Sequence, residues 1–266
     1  MYTDNNHKRN LKVTKVEILD RGEEIKMKKF ERLIIYPLLL VTRGKQMKNI
    51  AIVVALVLLA GVLTTQAQET TWETVSIPGI CTFQIPPTVE IQKGTYKRIT
   101  DQFQKMILEI DESPDRVTAQ PKGINDLDPV ALNKYCRIIV ETERGTKGDY
   151  VKLDEPLLYS EAELKQLDKE FKNLLEQLVA IWNAKGVKMT VLSLQPFKIT
   201  RVNGVDALVI KYTRSINDAP SVLMQVYTIQ NNDVMQKIAI SYRESEKDIW
   251  ADDLGKVIST FKFEKR

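Results

Sequence analysis

Histidine is nearly absent from this 266-residue sequence, which contains a single one, His7. Imidazole is the commonest general base and a frequent zinc ligand near neutral pH. Because His7 lies in a segment that we expect to be removed, the remaining chain is predicted to lack Ser–His–Asp catalysis, Cys–His catalysis and histidine-ligated metal. Spaced glycine loops that cradle phosphates are missing as well. We therefore expect no metal and no cofactor.

Cysteine is also scarce, with two residues, Cys81 and Cys136. In an oxidising compartment an even pair is compatible with one disulfide, which would close a loop of 55 residues. Both cysteines also lie in or beside apolar, strand-like runs, where unbonded thiols pack as small hydrophobic groups. The sequence therefore leaves two alternatives, a Cys81–Cys136 disulfide or two buried thiols. A catalytic cysteine is not expected without a histidine to activate it.

Long apolar runs are limited to the N-terminal region, where residues 47–67 read as a signal peptide. Lys48 supplies the positive charge, Ile50 to Leu63 are uninterrupted apolar residues, and Thr65 and Ala67 are the small residues before a cleavage site. The 14-residue run would span about 21 Å as a helix, which is short for a bilayer core of about 30 Å. We predict cleavage after Ala67.

Three segments follow from this prediction: an upstream or disordered extension (1–46), the signal peptide (47–67) and a secreted or periplasmic domain (68–266). If Met1 or Met27 is the true start, the N-terminal region would instead anchor the domain in a membrane. Residues 1–67 carry 12 basic and 6 acidic side chains, whereas residues 68–266 carry 27 and 29. The near-neutral domain lacks the positive field of a nucleic-acid-binding protein.

The pattern of residues 68–266 predicts strands separated by turns and three helices. An Asp128–Pro129 start predicts a short helix through Leu132. Ser160 and Glu163 form a capping box for a long amphipathic helix that ends at Gly186, and a last helix begins at Ser245 or Glu246. The strands are predicted at Trp72–Ile77, Ile80–Ile85, Lys105–Ile110, Arg116–Ala119, Arg137–Thr142, Phe197–Val202, Val205–Arg214, Ser221–Gln230, Val234–Arg243 and Thr260–Phe263.

This order predicts an α+β fold, a single domain in which an antiparallel β-sheet is covered by helices. Three segments resemble the PsbP-like α/β/α sandwich family: the strand from Pro78 to Pro86, the hairpin from Asn203 to Arg214, and the helix that runs into Thr260 to Phe263. The resemblance covers nearly all of residues 70–266. It implies an extracytoplasmic accessory or assembly protein without enzymatic activity.

Tyrosine and arginine occur as three close pairs on or beside predicted strands. Because strand side chains alternate, two of the pairs should each lie on one face of the sheet. Arginine suits carboxylate or phosphate ligands, and both residue types are frequent in binding hot spots. The alternative is ordinary cross-strand packing. The predicted ligand-binding residues are Tyr135, Arg137, Tyr212, Arg214, Tyr242 and Arg243.

Carboxylate pairs offer the other candidate chemistry, at Asp126–Asp128, Glu141–Glu143 and Asp252–Asp253. Glu141 and Glu143 should share one strand face, a spacing compatible with glycosidase-like acid and nucleophile roles. Each pair also lies near lysine or arginine, as surface carboxylates usually do.

The sequence therefore favours a secreted or periplasmic, non-enzymatic binding or accessory domain whose partner is an envelope protein or another extracytoplasmic component. No nucleic-acid partner is expected, and membrane attachment is expected only through an uncleaved leader. The alternatives are a carboxylate-dependent hydrolase and a membrane-anchored extracytoplasmic domain.

Overall fold

The computed structural model describes residues 71–108 and 115–266, with the backbone alone for 103–108. The helices are α1 (Gly94–Leu108), α2 (Pro129–Leu132), α3 (Glu161–Ala184) and α4 (Lys247–Ser259). The strands are β1 (Glu73–Ile77), β2 (Cys81–Ile85), β3 (Val89–Ile91), β4 (Arg116–Pro121), β5 (Cys136–Arg144), β6 (Met189–Leu194), β7 (Lys198–Val202), β8 (Val205–Ile216), β9 (Val222–Asn231), β10 (Val234–Arg243) and β11 (Lys262–Phe263).

Local sequence signals account for several of these boundaries. Ser160 accepts a hydrogen bond from the backbone of Glu163, whose carboxylate accepts one from the backbone of Ser160, so the predicted capping box of α3 is confirmed. Asn203 and Gly204 both have positive φ, as a two-residue hairpin turn between β7 and β8 requires. Asp128 caps α2 by accepting a hydrogen bond from the backbone of Val130.

The strands form two sheets in which every pair is antiparallel. The small sheet has the order β1-β2-β11, and the large sheet has the order β3-β4-β5-β10-β9-β8-β6. Strand β7 pairs with the first half of β8, and β6 pairs with its second half. These two short strands therefore share one edge of the longest strand of the sheet.

Two hydrophobic cores lie on opposite faces of the large sheet. One core is closed by the small sheet and α4, and it includes Phe83 and Trp250. The other is closed by α3, and it includes Phe171 and Met224. The layers thus share the large sheet as one domain, and the predicted fold, an antiparallel sheet covered by helices, is confirmed.

The prediction of a strand at Lys105–Ile110 is wrong, because α1 extends through Leu108 and the last two residues lie outside the described range. Hydrogen bonds and ion pairs within the helix stabilise it: Lys97 pairs with Asp101 one turn later at 2.8 Å, and Thr100 donates to the carbonyl of Lys97. The short strands β3 and β6 were not among the predicted strands.

The predicted extension (1–46) and signal peptide (47–67) lie outside the described residues, as does His7. Within the described part of the chain, no helix combines the length and apolar character needed to span a membrane.

Candidate binding site

Two of the three tyrosine–arginine pairs lie on the same face of the large sheet. Tyr135 and Tyr212 both belong to the core under α3, and alternation along the strands places Arg137 and Arg214 on this face as well. All four side chains are buried. The structure therefore buries both pairs beneath helices. A ligand would reach them more directly if they lay on the outer surface.

The third pair is divided between the two faces. Tyr242 belongs to the core between the two sheets, and the adjacent Arg243 points to the other face, where it lies over the ring of Tyr135. Burial raises the pKa of Tyr242, with a smaller contribution from Glu244. Of this pair, only Arg243 thus lies on the same face as Tyr135, Arg137, Tyr212 and Arg214.

The ring of Tyr135 lies against two guanidinium groups. Cζ of Arg137 is 5.4 Å from the ring centre, and Cζ of Arg243 is 5.9 Å from it. At these distances the electron-rich face of the ring attracts both cations. The hydroxyl of Tyr135 also shares a 3.5 Å hydrogen bond with Ser241.

Glu246 connects this cluster to the start of α4. Its carboxylate accepts hydrogen bonds from the backbone of Tyr135 at 2.9 Å, from Nε1 of Trp250 at 2.8 Å and from Arg243 at 2.8 Å. Arg243 is therefore neutralised within the protein. Sequence reasoning identified Glu246 only as a helix start, since its partners lie far away along the chain.

Arg137 has a different environment. Its side chain is 2% exposed, and it donates to the carbonyl of Cys136 at 2.9 Å and to the hydroxyl of Tyr96 on α1 at 3.3 Å. Both acceptors are neutral, and no carboxylate of the described residues forms an ion pair with it. Arg137 is thus a buried cation that is held by neutral groups.

Tyr212 and Arg214 lie deeper under α3. Burial raises the pKa of Tyr212 to about 12, although the positive charge of Arg214 acts in the opposite direction. Tyr212 is therefore a neutral phenol at physiological pH.

The carboxylate pairs are engaged in structural contacts. Glu143 forms an ion pair with Lys237 at 2.8 Å and accepts a hydrogen bond from the hydroxyl of Tyr150 at 3.2 Å. Burial and the nearby charge of Glu143 raise the pKa of Tyr150. Glu141 faces the same side of β5 and pairs across the strands with Lys237 and Arg116. The shared face is as predicted, and the hydrolytic role stays a prediction.

The other two pairs lie at helices. Asp128 caps α2, and Asp253 on α4 lies 4.0 Å from Lys256. Within the described residues, no group of three or more histidine, cysteine, aspartate or glutamate side chains is arranged to hold a metal ion.

The two cysteines are unbonded in the structure, and the Cys81–Cys136 disulfide stays a prediction. Cys81 and Cys136 are both buried in the core between the two sheets, where they pack as small apolar groups. Burial raises the pKa of Cys81 to about 12 and also raises the pKa of Cys136. Neither thiol is therefore a nucleophile at neutral pH.

An open groove of about 450 Å³ lies at the end of the molecule where the β1–β2 and β9–β10 turns meet the C-terminal residues. Arg266 forms two hydrogen bonds to Asp233, at 2.8 and 3.1 Å, and Lys265 pairs with Asp154 at 3.1 Å. The charges of this groove are thus largely paired within the protein.

No family model matches the sequence, and no curated protein matches it. Among solved structures, the chain is similar to a protein from Bacteroides thetaiotaomicron with 8% identity and a TM-score of 0.37, over 70% of this chain and 46% of that one. The present chain therefore spans less than half of that protein.

Two further similar structures match along most of their length. One is the cyanobacterial PsbP of Synechocystis, with 12% identity and a TM-score of 0.40 over 75% of this chain and 96% of that one. The other is LpqN of Mycobacterium tuberculosis, described as involved in cell envelope biogenesis, with 13% identity and a TM-score of 0.36 over 74% and 92%.

Proposed function

We propose that this protein is a secreted or periplasmic, non-enzymatic accessory domain that binds a protein of the cell envelope. The location rests on the processing signature at residues 47–67, in which an apolar run precedes small residues at Thr65 and Ala67. The binding role rests on one observation, a group of exposed apolar side chains around α2.

This group, which we call the α2 surface, consists of Leu127, Val130 and Leu132. All three are exposed, and Val130 is 66% exposed. Ala131 between them is buried against Tyr96 of α1, so the helix is fixed while its neighbours face outward. Large apolar side chains concentrated within six residues on a surface are typical of a protein interface.

Leu127 adds a second feature to the α2 surface. Its φ is +59°, in the left-handed region that is unfavourable for a residue with a Cβ. A turn of this kind is more commonly built with glycine or asparagine. Leu127 therefore combines a strained backbone with an exposed apolar side chain. Backbone strain of this kind is common at functional sites.

Two further exposed apolar residues lie on α1 and α4. Ile99 lies one turn after Tyr96 on α1, and Ile249 lies in the first turn of α4. Arg243, just before α4, donates to the carbonyl of Asn133 directly after α2, which holds the two elements side by side. Together these residues account for five of the eight large apolar side chains exposed in the described residues.

Site-specific photo-crosslinking in expressing cells tests the proposal. A crosslinking residue at position 130 should capture a defined envelope protein, and the same residue at position 158 should not. Leu158 is a matched control because it is 83% exposed and lies outside the α2 surface. Leu127→Asn with Val130→Asp should abolish capture from a probe at position 132, while Leu158→Asp should leave it intact.

Identical crosslinks from positions 130 and 158 would contradict the proposal. Turnover of a glycan panel that is lost in Glu141→Gln or Glu143→Gln would favour the hydrolase instead. Membrane association that resists carbonate would favour the anchored form.

A further inference from the structure

We propose that Arg137 anchors a buried binding site for a small oxyanion that carries a hydroxyl, such as phosphate, beneath α1. This site is separate from the α2 surface and does not depend on its role. The inference starts from a contrast between the two helices that cover the same face of the large sheet.

The underside of α3 is apolar, whereas the buried side chains described in the first two turns of α1 carry polar groups. Helix α3 buries Phe171, Leu178 and Trp182 against the sheet. Beneath α1, the hydroxyl of Tyr96 accepts from Arg137, and Thr100 accepts from the buried amide of Gln92 at 3.0 Å. A polar layer between a helix and a sheet is unfavourable unless its groups are satisfied.

Arg137 is the charged member of this layer. Its two hydrogen bonds leave Nε without a hydrogen-bond partner, and the cation otherwise contacts the ring of Tyr135. The contact to Tyr96 is long, at 3.3 Å. A buried guanidinium is normally paired with an anion, and its fork of donors matches two oxygens of a carboxylate or phosphate.

The other two strand side chains in this layer supply acceptors. Gln120 is 0% exposed, and it follows Ala119, the cross-strand partner of Ile138, so it lies beside Arg137 in the sheet. Its Oε1 has no hydrogen-bond partner, and neither does Oγ1 of the buried Thr118. A carboxamide oxygen can only accept a hydrogen bond. The ligand must therefore offer negative oxygens to Arg137 and a hydroxyl hydrogen to Gln120.

Phosphate near neutral pH meets both requirements, because it carries a negative charge and retains a proton. Sulfate has the same shape but no proton at this pH, so it cannot donate to Gln120. Arg243 is a poorer candidate on the same face because Glu246 already pairs with it. The geometry thus distinguishes Arg137 from its neighbour.

Tyr96 occupies the position that the ligand would take against the guanidinium. Tyr96→Phe removes the competing hydroxyl and keeps the ring that packs against Ile124 and Ala131. This variant should bind phosphate more tightly than the parent protein. Arg137→Met should lose binding, and Arg137→Lys should bind several-fold more weakly because it lacks the fork.

The test is a titration of inorganic phosphate into the full chain purified from expressing cells, followed by calorimetry and by the NMR signals of the arginine Nε–Hε groups. We expect one buried signal, absent in Arg137→Met, to move with phosphate and not with sulfate at equal ionic strength. Arg201→Met is the control, since Arg201 is exposed and lies outside this layer.

No movement of any buried Nε–Hε signal would overturn the proposal, as would equal responses to phosphate and sulfate. If Arg137→Met does not fold, the opposite changes expected for Tyr96→Phe and Arg137→Lys keep the test decisive. The measurement needs no partner protein, so its failure is distinguishable from the failure of the proposed docking role.

Discussion

Gln236 and Thr142 are cross-strand neighbours on β10 and β5, and both are buried on the face that meets the small sheet. Neither amide atom of Gln236 has a hydrogen-bond partner, and neither does the hydroxyl of Thr142. Unpaired buried polar groups lower stability, and apolar residues of similar shape remove this penalty. Gln236→Met with Thr142→Val should therefore raise the free energy of unfolding by about 1–3 kcal/mol.

Urea denaturation measures this change, with exposed Gln195→Met as a control that should alter stability by less than about 0.5 kcal/mol. A double variant less stable than the parent would mean that ordered water satisfies these groups in solution.

The buried thiol of Cys81 predicts how the stability of the protein changes with pH. The pKa of Cys81 is raised from 9.0 to about 12 in the folded protein, so its thiolate forms more readily in the unfolded chain. The protonated Cys81 thiol therefore stabilises the folded state fully below about pH 9. This stabilisation is lost as the pH rises from about 9 toward 12. The free energy of unfolding measured in urea should be lower at pH 10 than at pH 8. This difference should be smaller in Cys81→Ala than in the parent protein.

Thiol titration without reductant checks the bonding state directly. Native protein at pH 8 should react slowly with a thiol reagent, and protein in concentrated urea should reveal two free thiols. The absence of free thiols in urea would instead support the Cys81–Cys136 disulfide.

At the scale of elements, two glycines should respond in opposite directions to alanine. Gly204 in the β7–β8 turn has φ +88°, so Gly204→Ala should lower the free energy of unfolding by about 1 kcal/mol or more. Gly255 lies within α4, where an added Cβ would meet nothing within 4 Å. Gly255→Ala should raise stability by about 0.5–1 kcal/mol.

Thermal denaturation of both variants tests this pair of expectations. Equal changes of the same sign would mean that the turn or the helix has a different backbone conformation.

Alternation and turn residues predicted most of the strands because one face of each is buried and the other differs in polarity. Helix α1 was missed because the apolar residues of Lys105–Ile110 taken by themselves suggest a strand, although Tyr96, Ile99 and Phe103 recur at helical spacing. The common face of Tyr135 and Arg137 followed from their spacing. Their burial under α1 and α3 did not, since it depends on contacts between distant segments.

At the scale of the whole molecule, the proposed location depends on the predicted leader at residues 47–67. The intact mass of protein recovered from cells that express the full chain should correspond to a chain beginning at Gln68. Retention of residues 47–67 would contradict cleavage and would direct the search for partners to the membrane.

The division of one sheet edge between β6 and β7 has a consequence for behaviour at high concentration. A long, straight edge strand presents a row of backbone groups on which another copy can add a strand, and this is a common route to aggregation. Here the edge beside β8 is broken between Leu194 and Lys198, and the opposite edge is the three-residue β3. We expect the folded domain to resist edge-to-edge polymerisation in a crowded compartment without help from a chaperone.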